Sequence, residues 1–131
     1  MAVRKNVVKQ QMTEFVEGLL KPEEAIRGGA LGQSGPMPGL FGLVGMLFIK
    51  QYYVALTSDR VIFVRASQLN GRPISVDFED RRDAARAEHG VEGRFWSTMT
   101  YKGSRTVKLR YPKLWREDMK VILHALGEQT S

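Results

Sequence analysis

Residues 52–65 read YYVALTSDRVIFVR. Two runs of β-branched and aromatic residues flank a short polar break, which is the pattern of two antiparallel strands joined by a tight turn. The first run reaches back to Leu47, so LFIKQYYVALT predicts a strand over 47–57 and VIFVRA a returning strand over 61–66. Ser58-Asp59-Arg60 supplies the turn, because Ser and Asp side chains bond nearby backbone. Thr57 and Asp59 are placed to satisfy backbone donors, and Arg60 to reach an acidic neighbour such as Asp77 or Asp80. This chemistry reads as scaffold rather than as a ligand site.

Outward from the hairpin, the pattern stays β-rich. A turn at Asn70-Gly71 leads to PISVDF (73–78), in which Ile74, Val76 and Phe78 are expected to alternate inward. DAARAEH (83–89) reads either as a fifth strand or as a helical turn. FWSTMTYK (95–102) and TVKLRY (106–111) flank the hairpin turn Lys102-Gly103-Ser104, with Val107, Leu109 and Tyr111 on one side and Lys108 and Arg110 on the other. On the other flank, residues 24–31 form a first strand.

Both ends of the chain change to helical periodicity. Over 6–20, Val8, Met12, Phe15, Val16 and Leu19 share one face, and Pro22 ends the pattern. Over 114–127, Trp115, Met119, Ile122 and Leu126 recur at the helical period, with Gly127 as the stop. The expected fold class is α+β, mainly β. About seven antiparallel strands over 24–111 form two curved sheets or a partly open barrel. The C-terminal helix caps one open end, an extra N-terminal helix precedes the strands, and residues 1–131 make a single domain.

Composition agrees with a globular domain. The chain has 131 residues, 43% hydrophobic and 26% charged, long enough to bury a core without staples. It has no cysteine, which excludes disulfides and thiolate metal sites. The amino terminus carries no signal-peptide apolar core, and the longest apolar run is shorter than the roughly 20 residues of a spanning helix. The expected location is therefore cytoplasmic, with peripheral membrane contact left open. The net charge of +6 favours anionic partners or serves solubility alone.

The stretch 52–65 resembles the second-to-third strand hairpin of bacterial pleckstrin-homology-like (PH-like) domains, relatives of the GRAM group. Leu56, Thr57, Asp59, Arg60, Ile62 and Phe63 carry the likeness. VDFEDRRDA (76–84), the paired YKGSRTVKL segment and the terminal helix near Trp115 extend it to roughly residues 22–127. The resemblance implies a PH-like barrel and a non-catalytic binding module. Because bacterial members assemble into rings, it also implies self-association. It carries over no headgroup site: eukaryotic members commonly place basic residues between the first two strands, and residues 33–46 here hold no Lys or Arg.

No catalytic constellation stands out. His89 and His124 are isolated, and Glu79, Asp80 and Asp83 interleave with Arg81, Arg82 and Arg86 as expected of solvated ion pairs. No enzyme activity, cofactor, metal or small-molecule substrate is expected. Lys102, Arg105, Lys108 and Arg110 form a predicted basic surface suited to anionic lipid or RNA. With Arg94, Phe95, Trp96 and Tyr101 they supply the ingredients of a nucleic-acid-binding domain, the alternative function class. Strand alternation places at most one of Phe95 and Trp96 outside.

The remaining feature is the charge-free run PMPGLFGLVGMLFI, residues 36–49. Its Leu40, Phe41, Leu43 and Val44 form a candidate interaction loop. Three readings compete: packing over an open barrel end, contact with protein including another copy, and insertion of the loop tip into a bilayer. The expected function is an interaction module for protein or self-association, at or near an anionic membrane surface.

Overall fold

The computed structural model describes residues 5–35 and 49–127. Helix α1 (Lys5–Glu17) leads into strands β1 (Ile26–Ser34), β2 (Lys50–Thr57), β3 (Arg60–Ala66), β4 (Pro73–Arg81), β5 (Arg86–Glu92), β6 (Trp96–Lys102) and β7 (Thr106–Pro112), then helix α2 (Arg116–Gly127). Short 3-10 turns at Arg82–Ala84 and Lys113–Trp115 precede β5 and α2. The class is α+β: one seven-stranded antiparallel sheet in the order β4-β3-β2-β1-β7-β6-β5. The sheet is open, with β4 and β5 as its edges.

The sheet nevertheless folds back on itself. Phe63 of β3 lies 4.6 Å from Tyr101 of β6 and stacks on Phe78 of β4 at 4.5 Å, although β2, β1 and β7 separate β3 from β6 in sheet order. The open edge is bridged by side chains. Asp80 of β4 accepts hydrogen bonds from the Tyr101 hydroxyl (2.6 Å) and the Ser104 amide (3.1 Å), and Asp77 accepts from Arg105 (3.0 Å). Burial works against the Asp80 charge, but these bonds outweigh it and hold the carboxyl below its usual range. Burial, reinforced by Asp80, pushes the Tyr101 hydroxyl far above its usual range, so Tyr101 stays a donor.

Strand β2 is buried from Tyr52 through Thr57, so both of its faces are covered. Tyr52 meets Phe63 edge-on, while Tyr53 meets Trp115 edge-on. The Tyr53 ring passes over β1 at Gly29, where a Cβ would collide with its hydroxyl, so a glycine interrupts an otherwise β-rich pattern. Helix α1 buries Val8, Met12 and Val16. Its Val8 sits against Gly71 in the β3–β4 turn, a residue with φ of +73° that only glycine adopts freely.

Helix α2 packs on β1 and β5 and buries Met119, Ile122 and Leu126, with Trp115 just before it. These are the four residues of the predicted stripe. The two helices are tied by Asp118, which bonds Lys9 at 2.8 Å and also pairs with Lys5.

Two expectations are corrected. The first helix ends at Glu17, not near residue 20, and Leu19 lies 36% exposed in the following turn, where its carbonyl accepts from Arg60. In β4, Ile74 is 60% exposed instead of inward. The β3–β4 register skips twice, Phe63–Phe78 to Val64–Val76 and Arg65–Ser75 to Ala66–Pro73, which leaves Asp77 and Ile74 as extra residues. Such bulges break alternation and re-aim side chains. Residues 83–89 are both of the readings left open: a 3-10 turn over 82–84, then β5 from Arg86.

Candidate functional site

The most constrained polar group lies at the Thr57–Arg60 turn. The Thr57 hydroxyl oxygen accepts from the amides of Asp59 (3.1 Å) and Arg60 (2.8 Å), as expected, and Ser58 Oγ accepts from the Ala25 amide. Arg60 does not reach Asp77 or Asp80. Its Nε and Nη2 form a two-pronged contact with Glu24 at 2.9 and 2.8 Å, its Nη1 bonds both oxygens of Glu79, and Nη2 also donates to the Leu19 carbonyl. A turn over Lys21–Glu24, closed by the Glu24 amide on the Lys21 carbonyl and carrying Glu23 at φ of 71°, delivers Glu24 to this place.

Glu24 is 7% exposed and Arg60 8%. The Arg60 hydrogen bond, aided by the Lys21 amide and Thr57, holds the Glu24 carboxyl down at about 2 despite burial. With its donors engaged, Arg60 has little left for a ligand. The groove beside it, lined by Lys21, Asp59, Arg81 and Arg82 among others, mixes both signs of charge. Arg81 pairs with Asp83 there, as expected of interleaved charges.

The predicted basic surface is brought to one side, but its charges are mostly engaged. Lys102 pairs with Glu88 (2.9 Å). Arg105 pairs with Asp77 (3.0 Å) and lies over the Phe78 ring at 4.8 Å. Arg110 is half-buried and donates to the Gly35 carbonyl (2.9 Å). Lys108 is exposed and makes no ion pair among the described residues. Together with Ser34, Lys50 and Tyr52, Arg105 and Lys108 line a recess of about 420 Å³. The Tyr52 hydroxyl donates to Asp77 (2.7 Å), and burial with this bond pushes its pKa up to about 12.

This recess opens between the ends of β1 and β2, from which residues 36–48 depart. The candidate interaction loop, Leu40, Phe41, Leu43 and Val44, lies outside the described residues.

Phe95 and Trp96 depart from the alternation argument. Both are outside, Phe95 at 69% and Trp96 at 43% exposure, whereas Tyr101 is buried. Trp96 occupies the outward parity of β6, and Phe95, of inward parity, precedes the first residue of the strand. Val91 is 70% exposed at a break in the β5–β6 register between His89 and Glu92, and Leu114 is 58% exposed in the 3-10 turn before α2. Sequence reading missed these last two. Leu114, out of step with the Trp115 stripe, carried the one usable signal.

His89 is half-exposed and faces Glu92 at 3.9 Å. Among the described residues no group of three or more His, Cys, Asp or Glu could hold a metal ion, and no helix is long and apolar enough to cross a membrane. No protein-family model matches the chain, and no curated protein matches it.

Proposed function

We propose that this chain is a non-catalytic PH-like interaction module whose main task is association with protein, foremost with further copies of itself, at or near an anionic membrane surface. One observation carries the reading: the strand order β4-β3-β2-β1-β7-β6-β5 with a helix after β7 packed on β1 and β5. That order, with a helix closing one end, supports the PH-like reading. The bonds from Asp77 and Asp80 to the β6–β7 turn support a barrel that side chains complete where the ladder stops.

The polar groups also favour binding over catalysis. The strongly perturbed carboxylates and tyrosines have structural partners: Glu24 with Arg60, Asp80 with Tyr101, Tyr52 with Asp77. The proposed contact surface is Leu40, Phe41, Leu43 and Val44 of the apolar run, since apolar side chains gain roughly 25 cal/mol per Å² when covered.

The test is the mass in solution across a concentration series. Wild type is expected above the 14.8 kDa of one chain, and Leu40→Ser/Phe41→Ser is expected to be smaller with an unchanged melting curve. A wild type that stays monomeric throughout would overturn self-association. Early melting of the variant would instead assign the run to packing. The alternative, a nucleic-acid-binding domain, draws support from the exposed Phe95 and Trp96 beside Arg94. Salt-sensitive binding to single-stranded RNA without binding to vesicles would favour it.

A further inference from the structure

An exposed apolar cluster sits where the β5–β6 turn meets the β7–α2 junction. Hydrogen bonds hold the two together: the Lys113 amide donates to the Phe95 carbonyl (2.9 Å), the Arg116 guanidinium donates to the Gly93 carbonyl (2.7 Å), and Trp96 stands opposite Pro112 in the ladder. Phe95, Trp96 and Leu114 are therefore brought to one corner, and Val91 is tied to the same end of β6 by its amide bond to Thr98 Oγ1 (2.8 Å); each of the four is at least 43% exposed. Three of them stand at irregular backbone: a register break, the residue before a strand, a 3-10 turn. The fold turns these three outward, each at least 58% exposed.

The same corner carries cations. Arg94 lies over the Phe95 ring at 5.9 Å and Lys113 is exposed, and neither makes an ion pair among the described residues. Of the nearby carboxylates, Glu117 pairs with Lys120 at 3.1 Å, and Glu92 lies 3.9 Å from His89, a contact that offsets charge only when the imidazole is protonated. This contrasts with Lys102 and Arg105, whose charges Glu88 and Asp77 offset.

We propose that this corner docks on an anionic lipid bilayer. Phe95, Trp96 and Leu114 enter the boundary between headgroups and acyl chains, and Arg94 and Lys113 meet lipid phosphates. Aromatic rings and aliphatic side chains partition there together, and nearby cations add attraction to anionic lipid. Single-stranded nucleic acid fits less well, because Val91 and Leu114 offer no stacking surface and Arg94 covers one face of Phe95. A second copy fits less well too. A two-fold contact centred here would bring Arg94 and Lys113 toward their own counterparts, in a chain of net charge +6. The inference rests on the chain being a binding module but not on its self-association.

The two tryptophans make the test local. Trp115 is 2% exposed and Trp96 43%, so a change in emission on contact with lipid reports Trp96. The full chain is mixed with phosphatidylcholine vesicles, with and without phosphatidylglycerol. Anionic vesicles are expected to shift the emission to the blue and to quench it when their acyl chains are brominated; Trp96→Phe removes both signals. Phe95→Ser/Leu114→Ser is expected to lower partitioning about tenfold or more with an unchanged melting curve. Ile74→Ser leaves partitioning within about twofold, because Ile74, although 60% exposed, lies on β4 outside the corner.

Four results would overturn the proposal. They are no response to anionic vesicles, binding that leaves Trp96 emission unmoved, a Trp96 response to single-stranded oligonucleotide but not to vesicles, and a dimer in lipid-free solution that Phe95→Ser/Leu114→Ser dissolves. A monomeric wild type that still inserts Trp96 would remove self-association alone, and an oligomer that ignores vesicles would remove this corner and the membrane part of the proposed function while leaving self-association standing.

Discussion

Arg60→Ala is expected to destabilise the fold by about 3–5 kcal/mol, the cost of leaving a buried charge without its partner. Glu24 is 7% exposed, and Arg60 supplies two of its hydrogen bonds. Arg60→Lys is expected to rescue little, because one ammonium cannot form two-pronged contacts with Glu24 and Glu79 together. The pH dependence carries the same information. The Glu24 carboxyl titrates at about 2 in the folded chain against an ordinary 4.5, so its contribution is present above pH 4.5 and lost as pH falls through 2. That difference corresponds to about 3 kcal/mol at neutral pH. In Arg60→Ala the carboxyl is buried without a cation, its pKa rises, and acidification should relieve the variant while it weakens wild type. Chemical denaturation at pH 7 and pH 3 measures both; a variant as stable as wild type at pH 7 would show that the pair does not hold the turn.

Ile122→Ala is expected to cost about 2–5 kcal/mol, since a fully buried side chain leaves a cavity. Ile122 is 0% exposed in the stripe with Met119 and Leu126 by which α2 packs on β1 and β5. Val121, 48% exposed on the same helix, is the control and is expected to stay within about 0.5 kcal/mol of wild type when replaced by Ala. A melting curve for Ile122→Ala that overlays wild type would mean that α2 is an appendage, and the PH-like reading would lose its helix.

The hairpin at 52–65, the C-terminal stripe and the sequence of elements were legible because each expresses a periodic pattern of side chains. What escaped is what interrupts periodicity. Two register breaks in β4 put Ile74 in solvent and turn Asp77 toward Tyr52 and Arg105, and hydropathy does not encode a bulge. The first strand runs to Ser34, beyond the expected 31, because its ladder with β2 continues through Ser34–Lys50 although its glycines dilute the strand pattern.

The scaffold role of Arg60 was readable, but its partner was not. Asp77 and Asp80 lie on the strand expected to pair beside it, whereas Glu24 arrives from 36 residues away by a turn through a left-handed Glu23. For the surfaces, charge counting marked Lys102 and Arg105 as open cations, yet pairing across strands engages both. Phe95 and Trp96 were expected on opposite sides, and the strand start between them exposes both.

Amide hydrogen exchange followed across a protein concentration series tests the association reading most directly, because it reports both whether copies meet and where. The account predicts that protection increases with concentration in the peptide covering residues 36–48, while the amides of β2, β3 and α2 exchange at unchanged, slow rates. Exchange that is independent of concentration everywhere, or protection that grows at the Lys21–Arg82 groove instead, would contradict it.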